Sequence, residues 1–172
     1  LYSSAASDVY KRQDIGYAYT EFKDSKKKLY FPYREGKLKF VTSCTKNDVG
    51  GIKHLPPFGK QLIITKSYKD YRVLLNNGKN VIWFQNEGMF PDIEILLSIV
   101  KRFEQVIVFF DNDVQGILSS QKLVDIINSY FPSKANALWL SESLIRFGIT
   151  DPSDLISKSG SIELKKFLQT FT

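Results

Sequence analysis

Val106-Ile-Val-Phe-Phe-Asp-Asn-Asp-Val-Gln-Gly116 decides how this chain is read. Its first five residues are apolar throughout, as in a strand covered on both faces. Asp111 and Asp113 follow at once. In an extended segment, residues two apart point to the same side, roughly 6.5–7 Å along the chain. Two carboxylates so placed can share one Mg²⁺ or hold two, because Mg²⁺ takes one or two carboxylates and completes its shell with water and phosphate oxygens. Gly116 lets the chain turn tightly into a helix whose N-terminus favours phosphate. The competing reading is that Asp111 and Asp113 only cap that helix.

Strands and helices alternate outward from this segment. Leu62–Thr65 is a short buried strand, and Ser67–Asn76 a helix stopped by Asn77-Gly78. Asn80–Phe84 is a second strand. Ile93, Leu96, Leu97, Val100 and Phe103 recur at helical spacing, placing a helix over Pro91–Arg102. A long helix follows over Gln115–Tyr130, then a fourth strand over Ala135–Leu140. Pro152–Lys158 and Ile162–Phe171 are short helices. This alternation predicts an α/β fold with a four-stranded, mostly parallel sheet flanked by helices. Functional loops of such a sheet gather at the carboxyl ends of its strands. That rule selects 65–70, 85–88, 111–116 and the segment after Leu140.

Upstream, residues 14–60 read as a small basic β-rich subdomain, with the best boundary at 56–60 and the α/β core over 61–172. Lys28–Arg34 and Lys37–Thr42 are aromatic and β-branched runs separated by Glu35-Gly36, the pattern of a hairpin. Pro32 places the first of these strands at an edge or interrupts it. Leu1–Gln13 reads LYSSAASDVYKRQ and has no amphipathic period. Its last eleven residues resemble an in-frame translation of a sequencing-library adapter, so 1–13 is expected to be a non-native scar with native sequence continuing upstream of Asp14.

The chain has 172 residues, 43% hydrophobic and 24% charged, an ordinary globular composition. No apolar run reaches the ~20 residues of a membrane span, and no membrane partner is expected. A single cysteine, Cys44, cannot pair internally, which points to a reducing compartment and a cytoplasmic location. With one Cys and one His, the chain has no zinc-ribbon ligand set. Net charge is +6, with Lys26, Lys27, Lys28, Arg34, Lys37, Lys39, Lys46, Lys53 and Lys60 crowded ahead of the acidic centre. That favours a polyanionic partner, although a lysine-rich solvated surface has the same composition. Arg34, Lys37 and Lys39, with Lys53 behind them, are the candidate nucleic-acid contacts, and nearby aromatics could stack bases. Tyr30 and Phe40 are expected to serve the core instead.

The order of elements resembles the Toprim domain, found in bacterial and phage primases, type IA and II topoisomerases and some nucleases. The resemblance runs from about Gln61 to the C-terminus and is strongest at Val108–Gly116 and Thr150-Asp-Pro-Ser-Asp154. Leu62–Asp70, Trp83–Glu87, Tyr30–Tyr33, Lys39–Ser43 and Gly51–Pro56 are similar to a phage primase subgroup and its small basic subdomain. A D-x-D after a strand also resembles the haloacid-dehalogenase phosphatases. There the motif sits on the first core strand, whereas here two strand–helix units precede it.

The resemblance implies Mg²⁺ or Mn²⁺ at Asp111 and Asp113, helped by Asp70 and Asp151, with Lys66, Lys69 and Gly116 facing nucleotide phosphates. The usual Toprim has Glu-Gly after its first strand; this chain has Lys66-Ser67. The acid/base role then passes to Glu87 or is lost, and Lys66 neutralises a triphosphate. The activity implied is primer synthesis from ribonucleoside triphosphates on a single-stranded DNA template, beside a replicative helicase. Zinc belongs only to an upstream domain. A Toprim nuclease and a catalytically degenerate nucleic-acid-binding module are the alternatives.

Overall fold

A computed structural model describes residues 15–20, 22, 25–86 and 88–169. The proposed scar at 1–13 and the candidate acid Glu87 lie outside them. Two compact units divide between Cys44 and Thr45, upstream of the boundary expected at 56–60. The reason is visible in the chain just after the division. Val49 is part of the main core, and Gly50 bridges to Trp83 with N–H···O distances of 3.0 and 3.1 Å in the two directions. A Cβ on Gly50 would fall 1.9 Å from the Trp83 indole nitrogen, so only glycine fits there.

The first unit is a three-stranded antiparallel sheet of β1 (Tyr17–Tyr19), β2 (Lys28–Tyr30) and β3 (Phe40–Thr42), in that order. The hairpin is present, but its second strand starts at Phe40 rather than Lys37. Gly36–Lys39 forms a 3₁₀ turn, entered through Gly36 at φ +49°, and Phe31 N–H closes the loop on the Lys39 carbonyl at 2.8 Å. β2 is the central strand, not an edge, and it ends at Tyr30 before Pro32 could remove a ladder donor.

The second unit carries a four-stranded, all-parallel sheet. Its strands are β4 (Gly59–Thr65), β5 (Val81–Trp83), β6 (Phe103–Val108) and β7 (Ala135–Ala137), in the order β5-β4-β6-β7. The connecting helices are α1 (Tyr68–Asn76), α2 (Ile93–Val100) and α3 (Val114–Tyr130). α4 (Glu142–Arg146), which the sequence did not signal, and α5 (Pro152–Gln169) follow. Gly160, at φ +84°, breaks α5 into the two helices expected there. The ladder of β7 stops at Ala137, with Leu138 N–H still reaching the Val108 carbonyl at 2.9 Å.

Leu62, Ile64, Val106, Val108 and Phe110 pack on one face with Leu96 and Val100 of α2 and Leu123 and Ile127 of α3. The alternate residues Ile63, Trp83, Ile107 and Phe109 are buried as well. Phe109 meets Phe167 of α5, and Trp83 meets Tyr68 of α1, each with ring centroids 5.8 Å apart. Two covered faces explain why Val106–Phe110, the end of β6 and the residues just after it, is apolar without alternation. Each fully buried large apolar side chain contributes about 1.5–3 kcal/mol, so the sheet is a rigid base for its loops. The chain runs from β4 outward to β5, then crosses back to β6 on the other side of β4. The topological switch therefore lies between β4 and β6.

Candidate metal centre

The loops leaving β4 and β6 meet at that switch. After Thr65, Ser67 caps α1 by accepting the Asp70 N–H at 3.1 Å, and its hydroxyl donates back to the Asp70 carboxylate. The S-x-x-D spacing is that of a capping box, with the acid at the third helical position. Asp70 is thereby fixed at the carboxyl edge of the sheet and is fully buried. After β6, Asp111 leaves the strand while the chain turns into α3. A third loop, Thr150–Asp154, brings Asp151.

Asp70, Asp111 and Asp151 each offer a carboxylate oxygen within 4.8 Å of the others. Among the described residues this is the only such acidic group. Its hydrogen bonds leave little freedom. Asp70 Oδ1 accepts the Ser153 N–H at 3.0 Å. Asp151 Oδ1 accepts the Asp154 N–H and the Ser153 hydroxyl, both at 2.7 Å, so Asp151 also caps α5 with Pro152 as its first residue. Lys69 reaches Asp151 Oδ2 at 2.9 Å, and Lys66 reaches Asp111 Oδ2 at 2.8 Å.

Burial, with the nearby Asp151 charge, pushes the Asp70 carboxyl up to about 6, against its Ser67 and Ser153 hydrogen bonds and Lys69. For Asp151, burial also raises the carboxyl, but Lys69, the Asp154 N–H and the Ser153 hydroxyl outweigh it and hold the group below its usual range. Lys69 is in turn raised: its carboxylate neighbours, Asp151 first, outweigh its desolvation. A buried carboxyl that resists ionisation, beside two carboxyls each met by a lysine, is an environment a divalent cation would relieve. The donor set is all oxygen, which suits Mg²⁺ or Mn²⁺.

The remaining expected site residues separate. Asp113 is exposed and lies outside the acidic group; its Oδ1 accepts the Gly116 N–H at 2.7 Å and caps α3. Asp111 and Asp113 thus diverge, because the chain bends at Asn112 and Asp113 and the Asp113 carboxylate, on a residue still extended, is drawn to the start of α3 as its cap. Gly116 is compulsory, since a Cβ there would sit 2.1 Å from the Asp111 carbonyl oxygen. Arg34, Lys37 and Lys39 belong to the first unit and Lys53 to the second. The Arg34 guanidinium lies 3.6 Å over the Phe31 ring.

Asn112, between the two aspartates, holds the loops in register. Its N–H donates to the Thr150 carbonyl at 3.0 Å, and its Oδ1 accepts the Leu140 N–H at 2.8 Å. Neither this role nor that of Ser153 was read from the sequence. The pairing of Ser67 with Asp70 was open to view there as a capping box.

With its all-parallel sheet flanked by helices, the chain has the fold of a primase catalytic core. Among solved structures, it superposes on the primase fragment of the bacteriophage T7 primase-helicase protein with a TM-score of 0.62, at 15% identity over 87% of this chain and 61% of that one. The Aquifex aeolicus primase, with its zinc-binding and RNA polymerase domains, gives 0.63 at 14% identity over 84% of this chain and 36% of that one. A DnaG primase catalytic domain bound to single-stranded DNA gives 0.64 at 13% identity, over 84% and 48%. The chain therefore spans about three fifths of the phage primase fragment and less of the bacterial proteins. No family model and no curated protein sequence matches it. Among the described residues, no helix is long and apolar enough to cross a membrane.

Proposed function

We propose that this chain is the catalytic core of a phage-type DNA primase, making short RNA primers on single-stranded DNA in the cytoplasm of a bacterial cell. The convergence of Asp70 and Asp111 from two strand-end loops with Asp151 from the loop between α4 and α5 carries the reading. These carboxylates would hold Mg²⁺ or Mn²⁺. Such an ion stabilises charge on phosphate and activates a hydroxyl for attack. Lys66 and Lys69 stand beside the same carboxylates, where an ammonium can meet nucleotide phosphates. Gly116 keeps the turn into α3 tight, which holds Asp111 in place. Asp113, as helix cap, steadies that turn. Glu87 is the proposed acid/base group.

In the reaction, the 3′-hydroxyl of one ribonucleotide attacks the α-phosphate of the next and pyrophosphate leaves. The first unit supports the template side of this reading. From Lys26 to Cys44 it carries six basic residues and one acid. Tyr17, Tyr30 and Phe40 stand in one cross-strand row, with ring centroids 6.4 and 5.0 Å apart. Phe40 is 48% exposed and Tyr17 57%. The core role expected for Phe40 is thus not the one found, while Tyr30 is half-buried in the row. Bases stack on such a row without sequence preference, and Arg34, Lys37 and Lys39, with Lys53 in the second unit, would take phosphates. A replicative helicase partner and an upstream zinc domain complete the proposal.

A template-dependent primer assay on the full-length protein tests it. Ribonucleotide incorporation that needs a divalent ion and is lost in Asp111→Ala is the expected result. No product, together with unchanged Mg²⁺ binding by Asp111→Ala, rejects it. Divalent-dependent nicking without incorporation makes the protein a nuclease; nucleic-acid binding with neither activity makes it a degenerate module.

A further inference from the structure

Three carboxylates and two ammonium groups share the centre: Asp70, Asp111 and Asp151 against Lys66 and Lys69. The Lys66 side chain is 18% exposed and that of Asp111 24%, so their 2.8 Å pair is only partly wetted. With every group ionised, the five sum to a single negative charge. One divalent cation already takes that sum to +1. A second would take it to +3 around Asp70, which is fully buried. Mutual repulsion at low local dielectric makes such a charge costly.

We infer that this centre takes one divalent cation rather than two, and that the Lys66 ammonium occupies the second cationic position, facing substrate phosphate from Asp111. This rests on the metal-centre reading above and adds the stoichiometry and the identity of the second cation. An ammonium fits that place physically. It is a compact point charge with rotatable donors, and it reaches Asp111 Oδ2 at 2.8 Å. Lys69 is placed differently. It is 62% exposed and bound to Asp151, the carboxylate that also caps α5, so it balances the rim of the site.

The consequence is a centre in which half of the cationic work is covalently attached. Its function should need only one free ion, and its second charge cannot be removed by chelation. Exchanging Lys66 for an acid changes the local sum by two units, from −1 to −3. That is enough to admit a second divalent ion.

Mn²⁺ binding to the nucleotide-free chain, read by electron paramagnetic resonance and by calorimetry, tests this without relying on activity. One ion per chain is expected for the unmodified protein and for Lys66→Arg, and two for Lys66→Glu. Lys66→Met, which removes charge without adding a ligand, should keep one ion and bind it about tenfold tighter. That is the order expected when one like charge is removed near a divalent ion, even with water-like screening. Far-UV spectra and melting curves establish that each variant is folded. Two ions in the unmodified chain, or one in a folded Lys66→Glu, overturns the inference and leaves the metal centre standing. No Mn²⁺ bound by any of the four chains overturns the metal centre itself, and this inference with it.

Discussion

Asp70 accepts a hydrogen bond from the backbone N–H of Ser153, 83 residues further along the chain, at 3.0 Å. That bond ties the loop after β4 to the start of α5 and fixes a carboxyl group where water does not reach. Its cost is electrostatic. Burial, followed by the Asp151 charge, raises the Asp70 carboxyl from 3.8 to about 6. The folded state therefore favours the protonated form. The stability associated with that proton is complete below about pH 4 and is lost as pH rises through 6. A shift of about two units corresponds to roughly 3 kcal/mol at full expression. In EDTA, the protein should melt at higher temperature at pH 5 than expected from its behaviour at pH 8, and Asp70→Asn should narrow that gap by raising the pH 8 value. Mg²⁺ should recover stability at pH 8 for the unmodified chain and much less for Asp70→Asn. Identical pH profiles for the two proteins would contradict this.

Asn112 is the next point of leverage. Its Oδ1 is the partner of the Leu140 N–H, and Leu140 is buried. Asn112→Ala leaves that donor unpaired, at a cost of about 1–3 kcal/mol. The Asn112 backbone N–H, which donates to the Thr150 carbonyl, survives the substitution, so the loop carrying Asp151 is loosened only through the freed Leu140 segment. Thermal melts should show the loss, and Mn²⁺ affinity should fall with it. Asn112→Asp keeps the acceptor and should retain most of the stability that Asn112→Ala loses. A variant with unaltered stability and unaltered affinity would remove Asn112 from the framework of the site.

Gly116 offers a sharper steric test. A Cβ there would meet the Asp111 carbonyl oxygen at 2.1 Å, a backbone atom that cannot rotate away. Gly116→Ala must move either the Asp111 peptide or the start of α3. Destabilisation of about 2–4 kcal/mol is expected from such strain. Since the displaced residue is a ligand candidate, divalent-ion affinity should drop at temperatures where the variant remains folded. Full retention of affinity would show that the turn tolerates the shift without moving the Asp111 carboxylate.

These sites show where sequence reading succeeds and where it stops. The parallel sheet was legible because Leu62–Thr65 and Val106–Phe110 are apolar without alternation, and because helical spacing separates them. Asp70 and Asp111 could be placed at strand ends for the same reason, whereas Asp151, between two helices, was signalled only by the family likeness of Thr150–Asp154. Asp113 could not be separated from Asp111 by pattern, because whether the chain is extended or turning at that point is decided by Gly116 and α3. The 3₁₀ turn at Gly36–Lys39 was hidden within a strand-like composition, as Leu38 is 68% exposed and packs on no partner strand. The start of the second unit at Thr45 was obscured as well: Gly50 reads as a loop signal until its bridge to Trp83 is seen. The ion pairs of Lys66 and Lys69 are tertiary facts with no local signature.

The aromatic row on the first unit separates two ways of binding a single strand. Tyr17, Tyr30 and Phe40 come one from each strand, in direct register, with Lys28 Nζ 5.0 Å over the Phe40 ring. Burial holds that lysine below its ordinary range, so its ammonium is already costly to keep and is favoured by a phosphate beside it. If bases stack here, Phe40→Ala should weaken oligothymidylate binding by about 1–3 kcal/mol, the usual value of one stacked base. It should leave the salt dependence unchanged, because no charge is lost. Lys37→Ala should do the reverse, costing less affinity at low salt and reducing the slope of log affinity against log salt by about one ion. Fluorescence titrations at several salt concentrations measure both quantities. A Phe40→Ala protein that keeps its fold and its affinity would show that the exposed row takes no bases, and that phosphate contacts alone account for template binding by this unit.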